Sequence, residues 1–162
     1  VLASDLPLVV DADALNLLAA APRTSSRWVL TPHPGEAGRL LGCTTGEVQA
    51  DRFTGVRRIQ ETYGGVAVLK GAGTLVFGAS HRPPGVCSAG NPGMASGGMG
   101  DALTGIVAAL LAQGLGLEEA AAAGVSLHAA AGDLAAAGGG ERGLLASDLI
   151  AAIRPVLNAG RS

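Results

Sequence analysis

A repeating order constrains this chain most: short unbroken apolar runs, each followed by a loop and then a helical stretch. LPLVVD at residues 6–11 is a β-branched run ending in a carboxylate, which fits a buried strand of a parallel sheet. A short helix over residues 12–21 follows and is stopped by Pro22. A second brief strand at residues 28–31 runs into Pro32, Pro34 and Gly35, after which residues 36–41 are helical and stop at Gly42. Thr45 offers an N-cap for one helix reaching about Tyr63, closed by Gly64 and Gly65. Residues 66–69 and 74–77 read as a hairpin around Gly71, Ala72 and Gly73. Residues 83–100 lack periodicity and read as one long loop, which in a compact domain is usually functional. Helices over about 99–113, 117–137 and 146–157 close the chain. The order predicts one α/β domain over residues 1–162.

Composition narrows this further. A chain of 162 residues can bury a sizeable core without disulfides or a structural metal. Aromatics are only 2% of it, so that core must be built from Ala, Val, Leu and Ile with closely approaching backbones, as in helices packed tightly on a sheet. Eleven basic residues against thirteen acidic ones, with no basic run, argue against nucleic acid or an anionic membrane as partner. No apolar stretch reaches membrane-spanning length and no basic-then-apolar leader opens the chain, which reads as cytoplasmic. The first residue is Val1, a few residues before a buried strand, so the chain reads as a piece of a longer polypeptide. Cys43 and Cys87 lack C-x-x-C spacing and read as reduced, buried thiols. His33, His81 and His128 have no metal-ligand spacing, so no protein metal site is expected. Lys70 is the only lysine, which makes it a candidate for a role arginine cannot fill.

NPGMASGGMGDALTG, residues 91–105, carries the most chemistry. Gly97, Gly98 and Gly100 let backbone N–H groups close on a ligand, and the helix that follows aims its positive end at the same place, forming an anion cradle. Asp101 sits where a lone phosphate would repel it, which makes sense if it acts on a hydroxyl approaching that phosphate. An aspartate in a first helical turn is also an ordinary complement to the helix dipole, and the residues alone leave both roles open. A P-loop is excluded because Lys70 is followed by Gly71, and no dinucleotide fingerprint or G-x-S-x-G is present.

Four stretches together resemble a known family: LVVDADALN (8–16), VLTPHPGEAGRLLG (29–42), VLKGAGTLV (68–76) and NPGMASGGMGDALTG. In order and spacing they are similar to the ADP-dependent NAD(P)H-hydrate dehydratases. GGMGD alone is shared with much of the ribokinase-like superfamily, whereas TPHPGE beside it is far more specific. The resemblance implies a ribokinase-like three-layer αβα sandwich with a mostly parallel sheet, lacking the family's N-terminal strands, helices and glycine-rich segment. It implies a repair lyase that dehydrates the S epimer of hydrated NADH or NADPH, with ADP as co-substrate and Mg²⁺ as cofactor. Asp101 matches the residue that takes the proton from the substrate hydroxyl. Gly97, Gly98 and Gly100 match the anion hole, with Gly100 also against the nucleotide. Lys70, Gly71, Ala72, Gly73 and Thr74 match the segment lining AMP, while His33, Asn16 and Asp101 fall where the hydrated cofactor is held. A homotetramer, with an epimerase domain fused or paired, is implied as well.

Other residues stay open. Glu36 at a helix start reads as a capping carboxylate. Asp11 and Asp13 follow a strand, where a ligand contact and a turn are equally served. His128 and Asp133 on an Ala-rich helix read as packing or surface residues. Two rivals remain: a small-molecule kinase of the same superfamily, and a truncated domain that binds nucleotide without catalysis.

Overall fold

The computed structural model describes residues 5–80 and 83–159. His81 and the chain start at Val1 lie outside the described residues.

Five strands form one sheet in chain order: β1 (Leu8–Val10), β2 (Trp28–Leu30), β3 (Val66–Leu69), β4 (Thr74–Phe77) and β5 (Gly85–Cys87). The helices are α1 (Asp13–Ala20), α2 (Pro34–Leu41), α3 (Thr45–Ala50), α4 (Arg52–Tyr63), α5 (Met99–Ala112), α6 (Leu117–Gly139) and α7 (Ala146–Asn158). Alternation along the strands sorts them into layers. Trp28, Leu30, Ala67 and Leu69 face α1–α4, whereas Val29, Val66 and Val68 face α5 and α6. The central strands are therefore buried on both faces, which is why their sequences read as continuous apolar runs rather than alternating ones. A third cluster, including Met99, Ile106 and Leu149, packs α7 onto α5 and α6. This is the expected three-layer arrangement. No helix among the described residues is long and apolar enough to cross a membrane.

The core is built chiefly from Ala, Val, Leu and Ile, as the composition predicts, with Trp28 and Tyr63 as its buried aromatics. The indole N–H of Trp28 donates to the Tyr63 carbonyl at 2.8 Å, and the Tyr63 hydroxyl donates to the Leu40 carbonyl at 2.7 Å. Both polar handles are thus satisfied inside the apolar layer.

Several expectations need correction. Beside the parallel pairs β1–β2 and β2–β3, the expected antiparallel hairpin β3–β4 is joined by a second antiparallel pair, β4–β5, so the sheet is mixed; four- and seven-residue connections leave no room for a crossover helix. The expected helix over 45–63 breaks at Asp51, whose φ of −145° is extended and whose carboxylate accepts the Thr54 N–H at 2.9 Å to start α4. Thr44, not Thr45, caps α3, in a reciprocal pair with Glu47. The expected loop 83–100 contains β5 and a single 3₁₀ turn at Pro92–Met94. Cys43 and Cys87 are half-buried rather than buried.

Register places the functional end. Parallel β1, β2 and β3 all finish on one edge of the sheet, at Asp11, Thr31 and Lys70. Thr74 pairs with Cys87, so β4 begins and β5 ends on that same edge. Open α/β sheets place ligands at this edge.

Candidate active site

At the end of β1, the Asp11 carboxylate is held from three sides. Oδ1 accepts from Lys70 Nζ at 2.8 Å and from the Ala12 N–H at 2.9 Å, while Oδ2 accepts from the Thr104 hydroxyl of α5 at 3.1 Å. Ala12 has φ +50° and ψ −121°, the one non-glycine residue with positive φ among the described residues. Such a conformation costs on the order of 1–3 kcal/mol and persists only where surrounding contacts hold it. Asp11, left open between ligand contact and turn in the sequence, is thus the anchor that brings Lys70 to α5.

At the end of β2, the chain turns through Pro32 into α2, whose N-cap is His33. Its Nδ1 accepts from the Gly35 N–H at 3.0 Å and weakly from Glu36 N–H at 3.4 Å, which places the ring proton on Nε2. Glu36 returns the bond, accepting the His33 N–H at 2.8 Å, as expected for a capping carboxylate. Only 8% of the Glu36 side chain is exposed, and its Oε2 stands 3.9 Å from Lys70 Nζ. One ammonium therefore lies between two carboxylates, leaving a formal negative charge at this end of the sheet.

At the end of β3, the segment Lys70–Thr74 turns through Gly71 (φ +136°) and Gly73 (φ +69°), which only glycine adopts readily. Arg52, first residue of α4, donates to the carbonyls of Leu69 and Lys70 at 3.2 Å each and to that of Ala72. Sequence reasoning missed Arg52. A cation at a helix N-terminus opposes the dipole, and that mismatch was the available signal that it bonds elsewhere.

At the glycine loop, Gly98 caps α5 with φ +84°, and the first helical bond runs from Ala102 N–H to Gly98 O. The amides of Met99, Gly100 and Asp101 are left for a ligand. A Cβ on Gly100 would lie 3.3 Å from Lys70 Nζ, so glycine there lets the ammonium approach the helix end. Gly97 meets nothing within 4 Å of an added Cβ. Asp101 is exposed, and its carboxylate makes no hydrogen bond or ion pair among the described residues. His128 of α6, half-buried, donates through Nε2 to the Met99 carbonyl at 2.9 Å. Burial, and secondarily the Lys70 charge, push its pKa down against the opposing pull of that hydrogen bond, so the ring is neutral.

These groups open onto a cavity of about 800 Å³. His33, all of Lys70–Thr74, and Gly100 line it, joined by Cys87 and His128. Asp101, Gly97 and Gly98 are not among its lining residues but flank Met99 and Gly100, which are. Asn16 does not join this group: it is exposed on α1, and its side-chain oxygen accepts from Arg39 at 2.8 Å. No cluster of three or more metal-ligating side chains forms among the described residues.

Comparison with known proteins shows what the chain is similar to. The family model described as NAD(P)H-hydrate dehydratase matches residues 1–155. A bifunctional NAD(P)H-hydrate repair enzyme from Coxiella burnetii is 58% identical over 158 residues, covering 98% of this chain and 32% of that protein. The ADP-dependent (S)-NAD(P)H-hydrate dehydratase of Neisseria meningitidis is 45% identical, covering 96% of this chain and 54% of that one. Among solved structures, the ADP/ATP-dependent NAD(P)H-hydrate dehydratase from Bacillus subtilis, co-crystallised with ATP and Mg²⁺, superposes with a TM-score of 0.86 at 31% identity. It is matched over 98% of this chain and 56% of its own. This chain thus spans about a third to just over half of the proteins it matches.

Proposed function

The chain belongs to the NAD(P)H-hydrate dehydratase family, and from that premise we propose that it carries the nucleotide site and proton acceptor of an ADP-dependent dehydratase. The observation that carries this reading is the convergence at α5. Free backbone amides, the sole lysine and an unpartnered carboxylate meet at one helix end beside a cavity large enough for a nucleotide.

In this mechanism the α5 amides and Lys70 hold the terminal phosphate of ADP, and Lys70–Thr74 lies along the AMP portion. The substrate hydroxyl attacks that phosphorus as Asp101 removes its proton; the new O–P bond forms, the bridging P–O bond breaks, and AMP leaves. Loss of the phosphorylated oxygen together with a neighbouring C–H proton then releases phosphate and restores the reduced nicotinamide ring. Positioning and charge stabilisation carry most of such a reaction. His33 presents its half-exposed ring edge to the cavity for the hydrated cofactor, whereas Asn16 would first have to leave Arg39.

Mg²⁺ fits the residues present. The two carboxylates Asp11 and Glu36 outnumber the single ammonium between them, and a nucleotide-bound Mg²⁺ takes one or two carboxylates with phosphate oxygens and water. When bound it neutralises charge on the transferring phosphoryl group.

The matched relatives are named bifunctional, which supports a second activity beside this one; we propose that it is an epimerase that interconverts the hydrate epimers and that both work in the cytoplasm. Exposed Leu134, Leu145, Ile150 and Leu157, on or beside the last two helices, support self-association; we propose a homotetramer, which light scattering tests.

The decisive assay follows recovery of NADH absorbance from chemically hydrated NADH, with ADP and Mg²⁺, beside ATP and Asp101→Asn controls. ADP-dependent recovery lost in the variant supports the reading. A stable phosphorylated product under ATP would instead identify a kinase.

A further inference from the structure

One wall of the cavity is the segment after β5, which has little regular structure yet is fastened to α6 and the turn beyond it. Asp133, well inside α6, spends both carboxylate oxygens on this segment: Oδ2 accepts the Gly90 N–H at 2.9 Å and Oδ1 accepts from Asn91 Nδ2 at 2.9 Å. Asn91 in turn accepts the Gly93 N–H at 3.1 Å through its side-chain oxygen. Ser96 donates to the Leu144 carbonyl at 2.9 Å, and the Met94 thioether lies over Gly132, where a Cβ would stand 2.4 Å from the sulfur. Gly90 has φ +101°, so the segment bends there in a way other residues resist.

Gly90, Asn91, Pro92, Met94, Ala95 and Ser96 all line the cavity that Lys70–Thr74 enters from the other side. We propose that Asp133 is a positioning residue for nucleotide binding, acting through Asn91 to hold this wall in its binding-competent form. The proposal rests on the nucleotide reading of the cavity. Ordering a wall before the ligand arrives raises apparent affinity by the fraction of molecules already competent. A carboxylate at 133 suits the task because its partners, a backbone N–H and an amide NH₂, are both donors.

That polarity supplies the test. Asp133→Asn keeps one acceptor and sets an NH₂ against a donor, breaking one charge-assisted bond. Asn91→Asp alone sets two carboxylates against each other without altering α6, so it reports on the wall even where Asp133→Asn perturbs the helix. The exchanged pair, Asn91→Asp with Asp133→Asn, restores all three bonds: the new amide donates to the new carboxylate and accepts from Gly90, and the carboxylate still accepts from Gly93.

Two readouts are needed: amide hydrogen exchange at Gly90 and Gly93 in the ligand-free chain, and AMP affinity by calorimetry. Each single variant is expected to speed exchange and weaken AMP binding by about tenfold, the scale of one charge-assisted hydrogen bond. The exchanged pair is expected to recover both, which a merely stabilising role for Asp133 would not produce in the affinity. Wild-type chain that binds AMP while Asp133→Asn binds it equally well overturns the proposal alone, as does an exchanged pair as weak as the single variants. Wild-type chain that binds neither AMP nor ADP overturns the nucleotide reading, and this proposal with it.

Discussion

Lys70 Nζ lies 2.8 Å from Asp11 Oδ1, tying the end of β3 to the end of β1 across β2, between residues 59 positions apart. Only 20% of the lysine side chain and 10% of the aspartate are exposed, so the pair is shielded but not sealed. Lys70→Met would leave Asp11 and Glu36 facing each other without a cation. Removing one partner of a buried pair costs about 3–5 kcal/mol, and the residual exposure brings the expected loss below that range, to about 2–3 kcal/mol. Urea denaturation measures it. AMP affinity is expected to fall more than about tenfold, and unchanged affinity would remove Lys70 from the nucleotide site.

Asp101 differs in kind, because its side chain is exposed and no ion pair or side-chain hydrogen bond restrains it among the described residues. Asp101→Asn is expected to lower turnover by about 10²–10⁴, the range for losing a positioned proton acceptor, with melting temperature and AMP affinity unchanged. A variant that keeps most of its activity would falsify the assigned role.

Gly124 lies where α6 crosses α5, and a Cβ there would stand 2.6 Å from Val107 Cγ2. Glycine to alanine inside a helix ordinarily stabilises by up to about 1 kcal/mol. Val107 is fully buried and β-branched, so it cannot swing aside, and overpacking costs about 1–3 kcal/mol. Gly124→Ala is therefore expected to destabilise, and adding Val107→Ala to recover part of the loss. A higher denaturation midpoint for Gly124→Ala would show that the two helices separate easily.

His128 gives the fold a pH dependence. Its folded pKa lies below the ordinary 6.5, chiefly through burial. Below that value the unfolded chain binds a proton that the folded chain refuses, so stability falls as pH drops from about 6.5 toward the folded pKa and then levels. His128→Gln keeps an N–H for the Met99 carbonyl and is expected to flatten the melting-temperature profile in that window. The capping carboxylates Glu47 and Asp51 are also held below their ordinary values, by hydrogen bonds from Thr44 and Thr54. Their contribution is present at neutral pH and is lost only below about pH 4.5, so it does not overlap the histidine window.

The elements easiest to read were those whose signal is local. β2 and β3 are short buried runs, α5–α7 are long periodic ones, and Gly64, Pro22 and Gly42 end their elements by backbone chemistry that needs no tertiary context. β5 was invisible because three residues, one of them glycine, form a strand only when β4 offers an edge. The break at Asp51 was hidden because the helical pattern continues across it, and only the extended backbone of Asp51 and its cap on Thr54 show it.

The sequence by itself determined the α/β class, the family, the glycine cradle and Lys70–Thr74, because each depends on residue type and spacing along a continuous segment. The tertiary structure alone decided what those segments do to one another: that Lys70 is held by Asp11, that Arg52 fastens the turn after β3, that Asp133 fastens the opposite wall of the cavity, and that Asn16 is turned toward Arg39. A carboxylate after a strand or on an Ala-rich helix has no local preference among solvent, capping and a distant partner. The choice falls to whichever donor the fold brings within about 3 Å.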